Sequence, residues 1–170
     1  MKRYLALILL LAACKEDIAE APAAVPMTDE ALGHFCQMAL ADMDGPKAQV
    51  HLDGQNDPIF FAQVRDGVAY LKEPEVTQEI TAFYVSDLSA APSWEQPGET
   101  NWVLASEAYF VVGAEVTGGM GAPELAPFSV EADARAFAAK RGGEIMTLAE
   151  IPATAVLGAA EAVASHGGEG

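Results

Sequence analysis

The stretch from Asp57 to Val85, DPIFFAQVRDGVAYLKEPEVTQEITAFYV, decides the fold, because it reads as a helix followed by a strand. Asp57-Pro58 has the form of an N-cap followed by proline at the first helical position. Phe61, Val64, Val68 and Leu71 then recur at helical spacing, which predicts a helix over 59–71. Pro74 separates it from Ile80-Thr81-Ala82-Phe83-Tyr84-Val85, a run rich in β-branched and aromatic side chains. Upstream, His34 to Leu40 and Ala48 to Leu52 read as strands joined by an Asp44-Gly45-Pro46 turn. The order is ββαβ.

A second block repeats that order beyond the Pro-, Gly- and Ser-rich stretch Ser89 to Gly98. Trp102 to Leu104 and Ala108 to Val112 read as strands. Ser129 is placed to N-cap a helix from Val130 to Arg141, with Phe128 as a hydrophobic staple and Gly142-Gly143 as the stop. Glu144 to Leu148 forms a last short strand. The sequence thus predicts an α+β fold of two related ββαβ subdomains, residues 28–88 and 100–157, joined by a linker over 89–99. Each is expected to have a small mixed or antiparallel sheet covered by one helix.

The N-terminus carries an address. Lys2 and Arg3 precede the apolar run Leu5 to Leu11, and small Ala12-Ala13 stand directly before Cys14. This is the layout of a signal peptide over residues 1–13, and its end resembles a bacterial lipobox with Cys14 as the lipidated first residue. The apolar run is too short to span a bilayer of about 30 Å. Residues 14–27 then read as lipidated cysteine and flexible tether, and 158–170, with His166, as a flexible tail. The expected location is periplasm-facing and lipid-anchored. Lys15, rather than Asp, after the lipidated residue favours the outer membrane.

Charge and thiols narrow the function. Loss of Lys2 and Arg3 on processing takes the formal charge from −16 to −18. A chain this acidic does not neutralise phosphates, so nucleic acid is excluded as a partner. With Cys14 lipidated, Cys36 is left as a lone thiol in an oxidising compartment. CxxC, HExxH, Walker, GxGxxG and GxSxG patterns are all absent.

His34-Phe35-Cys36-Gln37-Met38 carries the chemistry. On a strand, His34, Cys36 and Met38 share one face. Thiolate with thioether is a soft donor pair that selects Cu(I) over calcium, magnesium or zinc. A Cys-x-Met pair is also ordinary core packing. Gly118-Gly119-Met120-Gly121 sets a methionine in a Gly-rich turn, where it is either a soft ligand or an incidental loop residue.

His34 to Met38, Gly45-Pro46-Lys47-Ala48-Gln49-Val50-His51-Leu52, Phe60-Phe61-Ala62-Gln63-Val64-Arg65-Asp66 and Gly118 to Glu124 together resemble the NosL family. Its members are accessory lipoproteins of bacterial nitrous oxide reductase. The resemblance spans about Ala31 to Pro152 and implies a periplasmic Cu(I) chaperone that is not an enzyme. It implies delivery of copper to apo-nitrous oxide reductase, chiefly for the catalytic copper–sulfide cluster, with the Nos membrane complex and its ABC transporter. The family's Cys-x-Met falls on Cys36 and Met38, and its Gly-rich methionine on Met120. A histidine ligand is implied at His34, with His51 as second choice. Two rivals stand beside this reading: a metal-free docking lipoprotein of the same machinery, and a thiol enzyme using Cys36 with a histidine base.

Overall fold

The computed structural model describes residues 21–157. The expected signal peptide, Cys14, residues 15–20 and the tail 158–170 with His166 lie outside the described residues.

Two antiparallel sheets form. In the first, β1 (Ala48–Leu52) lies between β2 (Ile59–Phe61) and β3 (Ile80–Ser86), with β4 (Trp102–Leu104) on the far edge of β3. In the second, β5 (Tyr109–Val112) lies between β6 (Ala126–Phe128) and β7 (Glu144–Met146). Helix α1 (Val64–Lys72) follows β2, and α2 (Glu131–Arg141) follows β6. The duplication is real, and it is β1β2α1β3 against β5β6α2β7, each with its first strand central. The α+β class and the pattern of one helix per sheet hold.

The members of the repeat differ from expectation in several places, among them β6, a strand that the sequence pattern does not predict. Residues 59–61 are a strand: Val50 pairs with Ile59 and Ala48 with Phe61. The Ile-Phe-Phe run favours a half-buried pleated edge over a first helical turn, so α1 starts later, after Gln63. Trp102–Leu104 pairs with β3, Val85 opposite Val103, and therefore belongs to the sheet of the first half. Ser129 does not cap α2; its hydroxyl and amide both bond the Asp87 carboxylate, at 2.6 and 2.9 Å.

A further correction touches the chemistry. His34 to Leu40 is not a strand. Leu32 and Ala39 pair across a closed turn, in which Gly33 donates to the Met38 carbonyl at 3.0 Å and Gln37 to the Gly33 carbonyl at 2.8 Å. Gln37 sits at φ 55°, and its side-chain amide donates to the His34 carbonyl at 2.7 Å. Local side-chain bonds of this kind compete with strand pairing and win here. Leu40–Asp42 continues as a single 3-10 turn.

The main core lies between the inner faces of the two sheets and α1, joining Val50, Val68, Val85, Phe110, Leu125 and Ile151. Helix α1 reaches the sheet closely because Gly67 has no side chain: a Cβ there would come 2.9 Å from that of Ala48 and 3.0 Å from the Phe83 ring. Val111, Ala126 and Phe128 face the other way, under Ala134 of α2. A third, smaller cluster forms on the outer side of β2 from Met27, Ala31, Leu40 and Ala62. The N-terminal chain is part of this structure. Residues 21–27, expected to be free tether, run along the outer face of the first sheet, where Gln49 exchanges two 2.9 Å bonds with the Val25 backbone. Met27 is buried.

Candidate metal centre

The alternation of β2 sets the geometry. Phe61 points into the main core, while Phe60 and Ala62 point to the small outer cluster. The 33–38 turn is fastened to this edge by the His34 amide, which donates to the Phe60 carbonyl. Its side chains then divide between the two faces. His34 packs among rings, 5.2 Å from Phe35, 5.5 Å from Phe61 and 5.6 Å from Tyr70. Cys36 packs on the other side, half-buried against the outer cluster. A Cβ on Gly33 would lie 2.5 Å from Cys36 Sγ and 3.3 Å from Leu40, so the glycine makes the space the sulfur occupies. Met38 remains 45% exposed. The expectation that His34, Cys36 and Met38 share a strand face therefore fails, because the segment turns back on itself.

Met120 approaches from the second half of the chain. Its loop is a built turn: Thr117 pairs with Pro123, Gly118 donates to the Ala122 carbonyl at 2.9 Å, and Gly121 to the Gly118 carbonyl at 2.8 Å. The Met120 amide donates to Gln63 Oε1 at 3.0 Å. Gln63 directly follows Ala62 of the outer cluster, so one residue ties the methionine turn to the base of the cysteine turn. The Met120 side chain is 46% exposed.

Beneath these turns lie groups that the sequence pattern did not single out. Glu124 is buried, and its carboxylate accepts from the amides of Val64, Arg65 and Leu125 at 3.1, 2.9 and 2.7 Å. It supplies the cap that α1 lacks locally. Burial raises its carboxyl to about 8, against the three amides. Lys47 is also buried, and its ammonium donates to the carbonyls of Met43, Asp44 and Gly45. Burial lowers it to about 8, with Glu124 and Asp44 opposing. Gly118 has no room for a side chain, since a Cβ would fall 2.5 Å from Glu124 Oε2. The Glu124 bonds to Val64 and Arg65 join residues 60 and 59 apart in sequence, which no local pattern reveals.

His51 is set elsewhere. It is buried beside Gln49, 3.0 Å from its Oε1, and faces the Tyr84 ring. Burial lowers its pKa. Among the described residues, no group of three or more His, Cys, Asp or Glu side chains is placed to hold a metal.

The chain as a whole has known relatives. The NosL family model matches residues 24–156. The chain belongs to the NosL family. It is 48% identical over 153 residues to a protein of Achromobacter cycloclastes named copper-binding lipoprotein NosL, covering 89% of this chain and 79% of that one. A Stutzerimonas stutzeri protein of the same name is 32% identical over 155 residues, covering 91% and 78%. Among solved structures, the crystal structure of the copper chaperone NosL from Shewanella denitrificans matches with a TM-score of 0.71 and 31% identity, covering 78% of this chain and 96% of that chain. The two-sheet α+β architecture is thus that of an experimentally determined NosL fold.

Proposed function

We propose that this NosL protein is a lipoprotein chaperone for Cu(I), anchored through Cys14 and facing the periplasm, with the outer membrane as its site. It is a carrier and not an enzyme. Its cargo goes to apo-nitrous oxide reductase, with the Nos membrane complex, for assembly of the copper centres. The observation that carries this reading is a half-buried thiol, Cys36, with two exposed thioethers, Met38 at the end of the same turn and Met120 on a turn that Gln63 ties to the β2 edge. The names of the relatives, copper-binding lipoprotein and copper chaperone, support it.

The work is ligand exchange. Cys36 as thiolate supplies charge and most of the affinity. Met38 and Met120 add soft, neutral donors from opposite sides, a set suited to cuprous ion. Because both thioethers are exposed, an incoming ligand of the recipient can displace one at a time, so the ion is never released to water. His34 enters this set only when its ring leaves the Phe35–Phe61–Tyr70 cluster.

Anaerobic Cu(I) titration of residues 15–170 against a cuprous chelator tests the reading, beside Cys36→Ser. One tight equivalent that disappears in the variant is the expected result. Absence of tight binding in the parent chain sinks the carrier reading and favours a metal-free docking lipoprotein.

A further inference from the structure

Met43 stands between the two arms of the centre. It packs half-buried on the same outer cluster as Cys36, and its amide bonds the carbonyl of Leu40, whose side chain borders the Gly33–Cys36 contact. Its other flank touches the methionine turn. A Cβ on Gly119 would fall 2.8 Å from Met43 Cβ and 3.5 Å from Cγ, so the glycine next to Met120 leaves room for the Met43 side chain. The Met43 backbone is held from below, because the buried Lys47 ammonium donates to the Met43 carbonyl at 2.8 Å. Met43 is thus an anchored residue with a flexible thioether, packed on the cluster that holds Cys36 and against Gly119 beside Met120.

We propose that Met43 Sδ is a further ligand of the same cuprous ion, bridging the cysteine turn and the Met120 turn. The inference rests on the copper-carrier reading. Cu(I) prefers soft sulfur donors, and a thioether on three rotatable bonds can swing to the ion without moving its backbone. Met38 and Met120 are the exposed donors that a recipient displaces; Met43 is the inner donor, which keeps the ion on Cys36 while they open.

The test uses residues 14–170 with Cys14→Ser, so that no lipid is present. Met43→Leu keeps the size and apolar character of the side chain and removes only the sulfur. Met27→Leu is the packing control, since Met27 is buried in the same cluster. Against a competing chelator, Met43→Leu is expected to weaken Cu(I) binding by about tenfold and to remove one Cu–S contact in X-ray absorption, while Met27→Leu leaves both unchanged. In the parent chain, one equivalent of Cu(I) is expected to shift the Met43 methyl resonance and not that of Met27. An unmoved Met43 methyl, or a Met43→Leu variant that binds like the parent or like Met27→Leu, overturns the proposal. Failure of the parent chain to bind Cu(I) removes the carrier reading itself.

Discussion

Gln63 uses both ends of one amide, one of them on the Met120 turn. Its Oε1 accepts from the Met120 amide at 3.0 Å and its Nε2 donates to Asp66 Oδ2 at 3.2 Å. It is 2% exposed, so neither bond is readily replaced by water. Gln63→Leu keeps the volume and removes the acceptor. A lost buried hydrogen bond of this kind costs about 1–3 kcal/mol, visible in chemical denaturation, and the released turn is expected to hold Cu(I) less tightly than the parent. Unchanged chelator competition in a destabilised Gln63→Leu protein would show that the amide supports the fold alone. At this scale the sequence was only partly legible. The candidate donors Cys36, Met38 and Met120 stand out by type and spacing, since soft sulfur beside a turn is visible in one dimension. Gln63 and Met43 are ordinary residues whose role arises from what the chain brings to them from afar. The Gly-rich run around Met120 is a closed turn, because its polar groups find partners in Gln63 and in itself.

Helix α1 illustrates the same limit for an element. Its apolar spacing is plain, yet its start is fixed by Glu124, which lies 60 residues away from Val64. That capping carboxyl is raised by burial from 4.5 to about 8. In the folded protein it therefore binds a proton more tightly than in the unfolded chain. Its contribution to stability is complete below the unfolded value and is lost as pH rises through the folded one. Lys47, lowered from 10.5 to about 8, acts in another window: its contribution is present above the unfolded value and is lost as pH falls through about 8. Between pH 5 and 8 Glu124 dominates, and melting temperature is expected to fall with rising pH. Glu124→Gln cannot ionise. It is expected to melt below the parent at pH 5, because its NH2 opposes a backbone N–H, and to draw closer to it by pH 8. Parallel melting profiles for the two proteins would rule out Glu124 as the titrating group.

Over the whole molecule, the duplicated ββαβ order was legible because each half alternates apolar runs with turn residues. The strand that crosses between halves was not. Trp102–Leu104 looks like the first strand of a second unit, and only pairing with β3 shows that it closes the first sheet. The two halves also share a core, through Phe110 and Leu125 against Val50 and Val68, so neither is a separate body. Residues 21–27 extend this integration to the anchor. The Tyr84 hydroxyl donates to the Pro22 carbonyl at 2.8 Å, and Met27 bonds the Glu99 carbonyl at 2.9 Å before entering the cluster under Cys36. Between a lipidated Cys14 and docked Pro22 the chain spans at most about 28 Å even when fully extended. With Cys14 lipidated as proposed, the strap would limit how far the candidate metal centre stands from the leaflet. Gln49 is its central fastening, holding both the amide and the carbonyl of Val25. Gln49→Ala is expected to raise amide exchange at Val25 and protease cutting before Met27, with little change at Val68 in the main core. On vesicles, the lipidated variant should place Cys36 farther from the surface, as read by energy transfer from a label on the thiol. Equal exchange at Val25 in both proteins would mean that the Pro22 and Met27 bonds hold the strap without Gln49. Equal distance despite faster exchange would mean that the strap, once loosened, still lies on the sheet when the protein is anchored.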